Sequence, residues 1–123
     1  MKHEDIKKVT ELIEDYFRGI YEGDVSLLRQ VFEPGIVLFG HVNGEPYEKD
    51  LESYLSGVAN RQSPKELGEP YTMQITGIEL MGSIGLVRAS VPMLGFHYHD
   101  LLGVVRREGQ WKIVHKAFAN LPA

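Results

Sequence analysis

The chain has 123 residues, 43% of them hydrophobic, and a formal net charge of −4, which suits one domain able to bury a continuous core without covalent staples. Cysteine is absent and no stretch approaches the ~18 apolar residues of a membrane span, so disulfide frameworks and membrane helices are excluded and a soluble, cytoplasmic protein is the expectation. The thirteen basic residues are scattered among seventeen acids, with no basic run longer than a pair, which argues against nucleic acid as a partner.

In chain order, Ile6, Val9, Ile13, Phe17 and Ile20 recur at three- and four-residue steps, and Leu12 and Tyr16 widen the stripe. That spacing predicts a helix over 5–22, with Asp5 as its N-cap. Gly23 followed by Asp24 reads as the end of this helix and the N-cap of a short second one over 25–32. Gly19 in mid-helix costs about 1 kcal/mol against alanine, which implies a close backbone contact there. The run 35–42 is β-branched and aromatic, and Asn43-Gly44 marks a hairpin-like bend. A third helix is predicted over about 49–60, with Leu51, Tyr54, Leu55 and Val58 on one face. Residues 61–70 read as a loop placed to cover a cavity mouth. Period-two runs then predict four antiparallel strands over 71–80, 85–94, 96–106 and 110–118. The order implies a single α+β domain over 1–123, with three N-terminal helices packed on a curved antiparallel sheet.

The stretch Phe96-His97-Tyr98-His99-Asp100-Leu101-Leu102 poses the main question about chemistry. Strand alternation puts Tyr98, Asp100, Leu102 and Val104 on one face, and His97, His99, Leu101 and Val105 on the other. Both faces are apolar, so a sheet covered only by its own helices leaves one set in water, and a second copy of the chain is the expected cover. The partner of Asp100 depends on the turn at Glu108-Gly109. A two-residue loop pairs Leu102 with His115 and places Trp111, Ile113 and His115 on the face of Asp100. A bulged three-residue loop brings Lys112, Lys116 and Phe118 there instead. Segregation of apolar residues favours the tight loop and hence His115. On the far face, His97 and His99 read as interface histidines; no carboxylate or third histidine shares their side, so no metal site is expected.

Tyr16-Phe17-Arg18-Gly19, Glu22-Gly23-Asp24, Val31-Phe32-Glu33-Pro34-Gly35, Asp100-Leu101-Leu102 and the closing Gly109-Gln110-Trp111-Lys112-Ile113-Val114-His115-Lys116-Ala117-Phe118 together resemble the nuclear transport factor 2-like (cystatin-like cone) superfamily. Within it the chain looks most like the putative lumazine-binding and SnoaL-like group. The resemblance implies a cone whose concave sheet face and helices enclose a pocket for a small organic molecule, without a cofactor, and whose convex face makes a homodimer.

Ketosteroid isomerases belong to the same superfamily and permit a comparison by residue. Tyr16 falls where their oxyanion-holding tyrosine sits, and Asp100 lies close to the protonated acid that gives the second hydrogen bond. Their catalytic base falls on Gly40, so the base is missing, and the neighbouring His41 points to the opposite face of a regular strand. A cyclase or dehydratase variant instead uses Asp100 with His115 as an acid/base pair. Phe39, Tyr54, Tyr98 and Trp111, with Tyr16, are candidates to stack on a flat heterocycle, with Leu102 beside them. The expectation is a small-molecule-binding domain of unassigned activity. The alternatives are an acid–base enzyme working through Asp100, His115, Tyr16 and His41, and an accessory protein acting through the outer sheet face.

Overall fold

A computed structural model describes residues 2–121. Helix α1 (Lys2–Glu22) and helix α2 (Val25–Val31) precede strands β1 (Val37–Val42) and β2 (Glu45–Asp50), followed by helix α3 (Leu51–Ala59). Four long strands complete the chain: β3 (Gln74–Met81), β4 (Ile84–Met93), β5 (Phe96–Arg107) and β6 (Gln110–Asn120). They form one six-stranded sheet in the order β2-β1-β6-β5-β4-β3. The expected antiparallel meander is therefore present, and the β1–β2 hairpin extends it by laying β1 parallel to β6.

Local chemistry accounts for most boundaries. Asp24 caps α2 by accepting from the Leu27 amide at 3.0 Å, and Gly23 reaches φ +72 before it. A Cβ on Gly19 would lie 2.6 Å from the Leu28 side chain, so the helical corner closes only over glycine. Asp50 caps α3 through the Ser53 amide at 2.8 Å, which starts that helix at Leu51 rather than Lys49. Asp5 is no N-cap, because α1 already runs from Lys2. Its carboxylate instead accepts from Arg106 at 2.9 and 3.0 Å and from the Trp111 indole at 3.2 Å, tying the start of α1 to the β5–β6 hairpin. β3 begins at Gln74, three residues later than the alternation suggests.

β2 is the element that the sequence concealed. Its run, Glu45-Pro46-Tyr47-Glu48-Lys49-Asp50, is mostly exposed and charged. As an edge strand it needs only one hydrogen-bonded side, so Pro46 and the charges cost it little and discourage edge-to-edge pairing. Tyr47 is its one inward residue of consequence.

The three helices cover the sheet face that carries Val87, Ala89 and Val91 of β4 and Asp100, Leu102 and Val104 of β5, all buried. Val9, Ile13, Tyr16 and Ile20 of α1 pack there with at most 1% exposure, each fully buried aliphatic side chain being worth about 1.5–3 kcal/mol. Among the described residues no helix covers the opposite face of the sheet, where Phe39, Ile84, Leu101 and Met81 are exposed.

Candidate functional site

The site is decided by one extra residue in β6. Glu108 and Gly109 do form the two-residue turn, with φ of 52 and 78, and pair Arg107 with Gln110 and Val104 with Ile113. A type I′ turn matches the twist of the flanking strands, which offsets the cost of about 1–2 kcal/mol of placing glutamate in the left-handed region. Beyond that point the register slips: Gly103 pairs with His115, Leu102 with Lys116 and Asp100 with Phe118. Val114 is the bulged residue, and it reverses the facing of everything after it. Trp111 and Ile113 point inward on one side of the bulge, and Lys116 and Phe118 on the other.

His115 is thereby corrected from cavity to surface. It is exposed on the outer face opposite Gly103, and Lys116, 5% exposed, takes its place beside Asp100. A signal for this was present in Gly103, since an isolated glycine inside a strand often marks a bulge; a Cβ there would press on His115 at 3.0 Å.

Asp100 is 3% exposed and accepts a hydrogen bond from the Tyr16 hydroxyl at 2.5 Å, joining β5 to α1. Burial pushes the Asp100 carboxyl above its ordinary range, against the opposing pull of Lys116, of the Tyr16 hydrogen bond and of His99. Burial and the charge of Asp100 hold the Tyr16 phenol well above 10, so it stays a donor. Lys116 Nζ lies 3.3 Å from the Tyr54 hydroxyl and sits 5.0, 4.7 and 5.0 Å from the ring centres of Tyr16, Tyr54 and Phe118. Such a cage favours a cation. Among the described residues no carboxylate comes within 4.0 Å of it.

These groups border a cavity of about 70 Å³, room for about five water molecules. Tyr47, Tyr98, Val91, Met93 and Phe118 supply much of its wall, and Arg61 reaches it from the turn after α3. Burial pushes the Tyr47 phenol up to about 12 and raises that of Tyr98. Arg61 alone of the loop over 61–70 lines the cavity; the loop otherwise ties back to α1, where Tyr21 donates to the Glu69 carbonyl at 2.7 Å.

Of the residues expected to share a pocket, Tyr16, Tyr54, Tyr98 and Asp100 do so. The rest are elsewhere. Phe39 is 44% exposed on the outer face, and His41 is exposed on that same side of β1. Trp111 lies near the β5–β6 turn, where it borders an open groove with Lys8 and Leu12. Leu102 faces the same way as Asp100 but is consumed in the core. Gly40 cannot hold the missing base: a Cβ there would meet the Phe118 carbonyl at 2.6 Å and its ring at 2.7 Å. Tyr47, Arg61 and Lys116 are polar cavity residues outside the expected set, Tyr47 because its strand was unread and Lys116 because the register that brings it to Asp100 was the less favoured of the two weighed. His97 and His99 stack at 4.5 Å on the outer face, with His97 Nε2 2.7 Å from the Ser90 hydroxyl. No cluster of three metal-ligating side chains occurs among the described residues, and no helix there is long and apolar enough to cross a membrane.

Comparison with known proteins gives three kinds of likeness. The sequence model described as putative lumazine-binding matches residues 4–119. A curated relative, aldolase FrzH from Cladobotryum sp, is 26% identical over 109 residues, covering 87% of this chain and 84% of the relative. Among solved structures, an NTF2-like protein of unknown function from Shewanella baltica OS155 superposes with a TM-score of 0.87 at 20% identity, covering 100% of this chain and 98% of the other. Another, from Silicibacter pomeroyi DSS-3, gives 0.84 at 22% identity, covering 98% and 99%. The two structures establish the cone fold.

Proposed function

This chain belongs to the putative lumazine-binding family, and from that premise we propose that it binds a small carbonyl compound in the Tyr16–Asp100–Lys116 cavity and moves a proton at the carbon next to the carbonyl, as aldol-type chemistry requires. The observation that carries the reading is the buried 2.5 Å Tyr16–Asp100 hydrogen bond beside a caged lysine in the same cavity. The likeness to an aldolase supports the choice of reaction.

Aldol addition and cleavage both pass through an enolate: addition begins with loss of a carbon-bound proton, cleavage begins with loss of the β-hydroxyl proton and ends with a proton returned to carbon, and in both the site must neutralise charge growing on the carbonyl oxygen. Asp100 supplies the base. Its raised pKa strengthens it as a proton acceptor, and Tyr16 holds its orientation. Lys116 Nζ and the Tyr54 hydroxyl, 3.3 Å apart, supply charge and a donor for the enolate oxygen in a water-poor setting. The base is thus placed on β5, where the isomerases' position on β1 has no room for one.

The test is exchange of α-hydrogens for deuterium, followed by proton NMR, on a panel of short ketones, aldehydes and oxo acids. Wild type should accelerate exchange of at least one compound above buffer, and Asp100→Asn and Lys116→Met should each remove most of the gain. A panel exchanging no faster than in buffer would count against the reading.

A homodimer through the outer sheet face is a second part of the proposal. Phe39, Val37, Leu101 and Ile84 are 38–52% exposed there, and covering them removes apolar area from water. Sedimentation should give a dimer that Leu101→Lys weakens; a wild-type monomer at high concentration would rule it out.

A further inference from the structure

The charges around the cavity do not balance. Arg61 and Lys116 both line it, and among the described residues Asp100 is the only carboxylate that does. That carboxylate is already engaged by Tyr16, and Lys116 has no carboxylate within 4.0 Å among the described residues. Arg61 Nη2 is buried with no hydrogen-bond partner, the one buried side-chain polar atom so placed among the described residues. A guanidinium N–H shut away from water without an acceptor is costly, and such groups are ordinarily paired. The loop is held to the fold through other residues: the Lys65 amide donates to the Tyr21 carbonyl, the Tyr21 hydroxyl donates to the Glu69 carbonyl, and the Glu69 carboxylate accepts from the Leu94 amide.

We propose that Arg61 is the recognition residue for an anionic ligand, and that the cavity takes small oxo acids: the ligand carboxylate on Arg61, the carbonyl oxygen toward Lys116 and Tyr54. A carboxylate supplies the acceptor that Nη2 lacks and the negative charge that the surplus cation lacks. Guanidinium suits this task because its planar fork matches a carboxylate. The volume of about 70 Å³ admits a compound of only a few non-hydrogen atoms. The apolar wall of Val91, Met93 and Phe118 suits a short carbon chain. This inference rests on the reading that the cavity receives a small carbonyl compound, and it adds the charge of that compound.

The experiment compares pyruvate with pyruvamide, its uncharged isostere, by amide-resolved NMR titration of wild type, Arg61→Gln and Arg61→Lys. Pyruvate should bind wild type with shifts at residues lining the cavity, and pyruvamide should bind far more weakly. Arg61→Gln should weaken pyruvate by roughly ten- to a hundred-fold, the loss expected for a hydrogen bond to a charged group, and leave pyruvamide unchanged. Arg61→Lys, which keeps the charge without the fork, should fall between them. Unshifted amides elsewhere in each variant show that the fold is intact. Equal affinity for the two compounds, no binding of pyruvate, or an Arg61→Gln protein that holds pyruvate as well as wild type would each overturn the proposal. Deuterium exchange in neutral ketones with no preference for oxo acids would sink this inference and leave the aldol-type reading standing. Arg61-dependent binding of pyruvate without exchange would do the reverse.

Discussion

Removing the Tyr16 hydroxyl isolates the contact on which the site is built. In Tyr16→Phe the ring keeps its packing against Phe17 and Phe32, both 5.8 Å away between ring centres, so the change falls on the 2.5 Å bond to Asp100. A hydrogen bond to a charged acceptor contributes about 1.5–3 kcal/mol, and here its loss also leaves Asp100 buried without its donor. For a chain of this length an unfolding entropy of ~260 cal/mol/K makes each kcal/mol worth about 4 °C, so the melting temperature should fall by roughly 6–12 °C. The effect must depend on pH. The folded-state pKa of Asp100 is raised above 3.8, so its contribution to stability is complete below the unfolded value and is lost as pH rises through the folded one. The Tyr16 hydrogen bond pulls that pKa back down, so deleting it extends the loss upward. Urea unfolding followed by Trp111 fluorescence should therefore show the full penalty at a pH above the raised folded-state pKa, where the acid is ionised, and a smaller one, about 1 kcal/mol, at a pH below it, where the acid is neutral. In an Asp100→Asn background the same substitution should cost about 1 kcal/mol at both. An equal penalty at the two pH values, or an equal penalty with and without the carboxylate, would refute the reasoning.

Two further predictions test the frame around the site. Deleting Val114 removes the bulge but leaves His115 opposite Gly103 and Lys116 and Phe118 inward, so the protein should keep its cooperative urea transition; inserting one residue after Val114, which with the same bulge places His115 opposite Leu102 and turns Lys116 and Phe118 outward, should abolish it. Gly40→Ala should destabilise by about 1–3 kcal/mol, because its Cβ would meet Phe118 at 2.6 Å. Gly57→Ala in α3 finds nothing nearer than 4.0 Å and should instead stabilise by up to about 1 kcal/mol. Equal effects at the two glycines in chemical denaturation would show that the contact with Phe118 is not what keeps position 40 bare.

What could be read without coordinates were features set by local periodicity. The apolar stripe of α1, the glycine and aspartate between α1 and α2, and the alternation of β3 to β6 each depend on near neighbours in sequence. They determined three helices followed by a meander, and with it the burial of Tyr16 and Asp100 on the enclosed face. Alternation also assigned His97, His99 and His41 to the outside, since facing within one regular strand follows from parity alone.

Tertiary structure decided what parity could not. A strand's facing survives only until an extra residue intrudes, and whether Val114 bulges depends on the pairing of β5 with β6, a relation between strands. That one residue exchanged His115 for Lys116. β2 carried almost no apolar signal because an edge strand buries little, so Tyr47 went unseen until β1 and β2 were paired. Arg61 belongs to a loop, whose course is set by the surfaces it crosses rather than by its own composition, and only the assembled cavity shows its guanidinium without an acceptor.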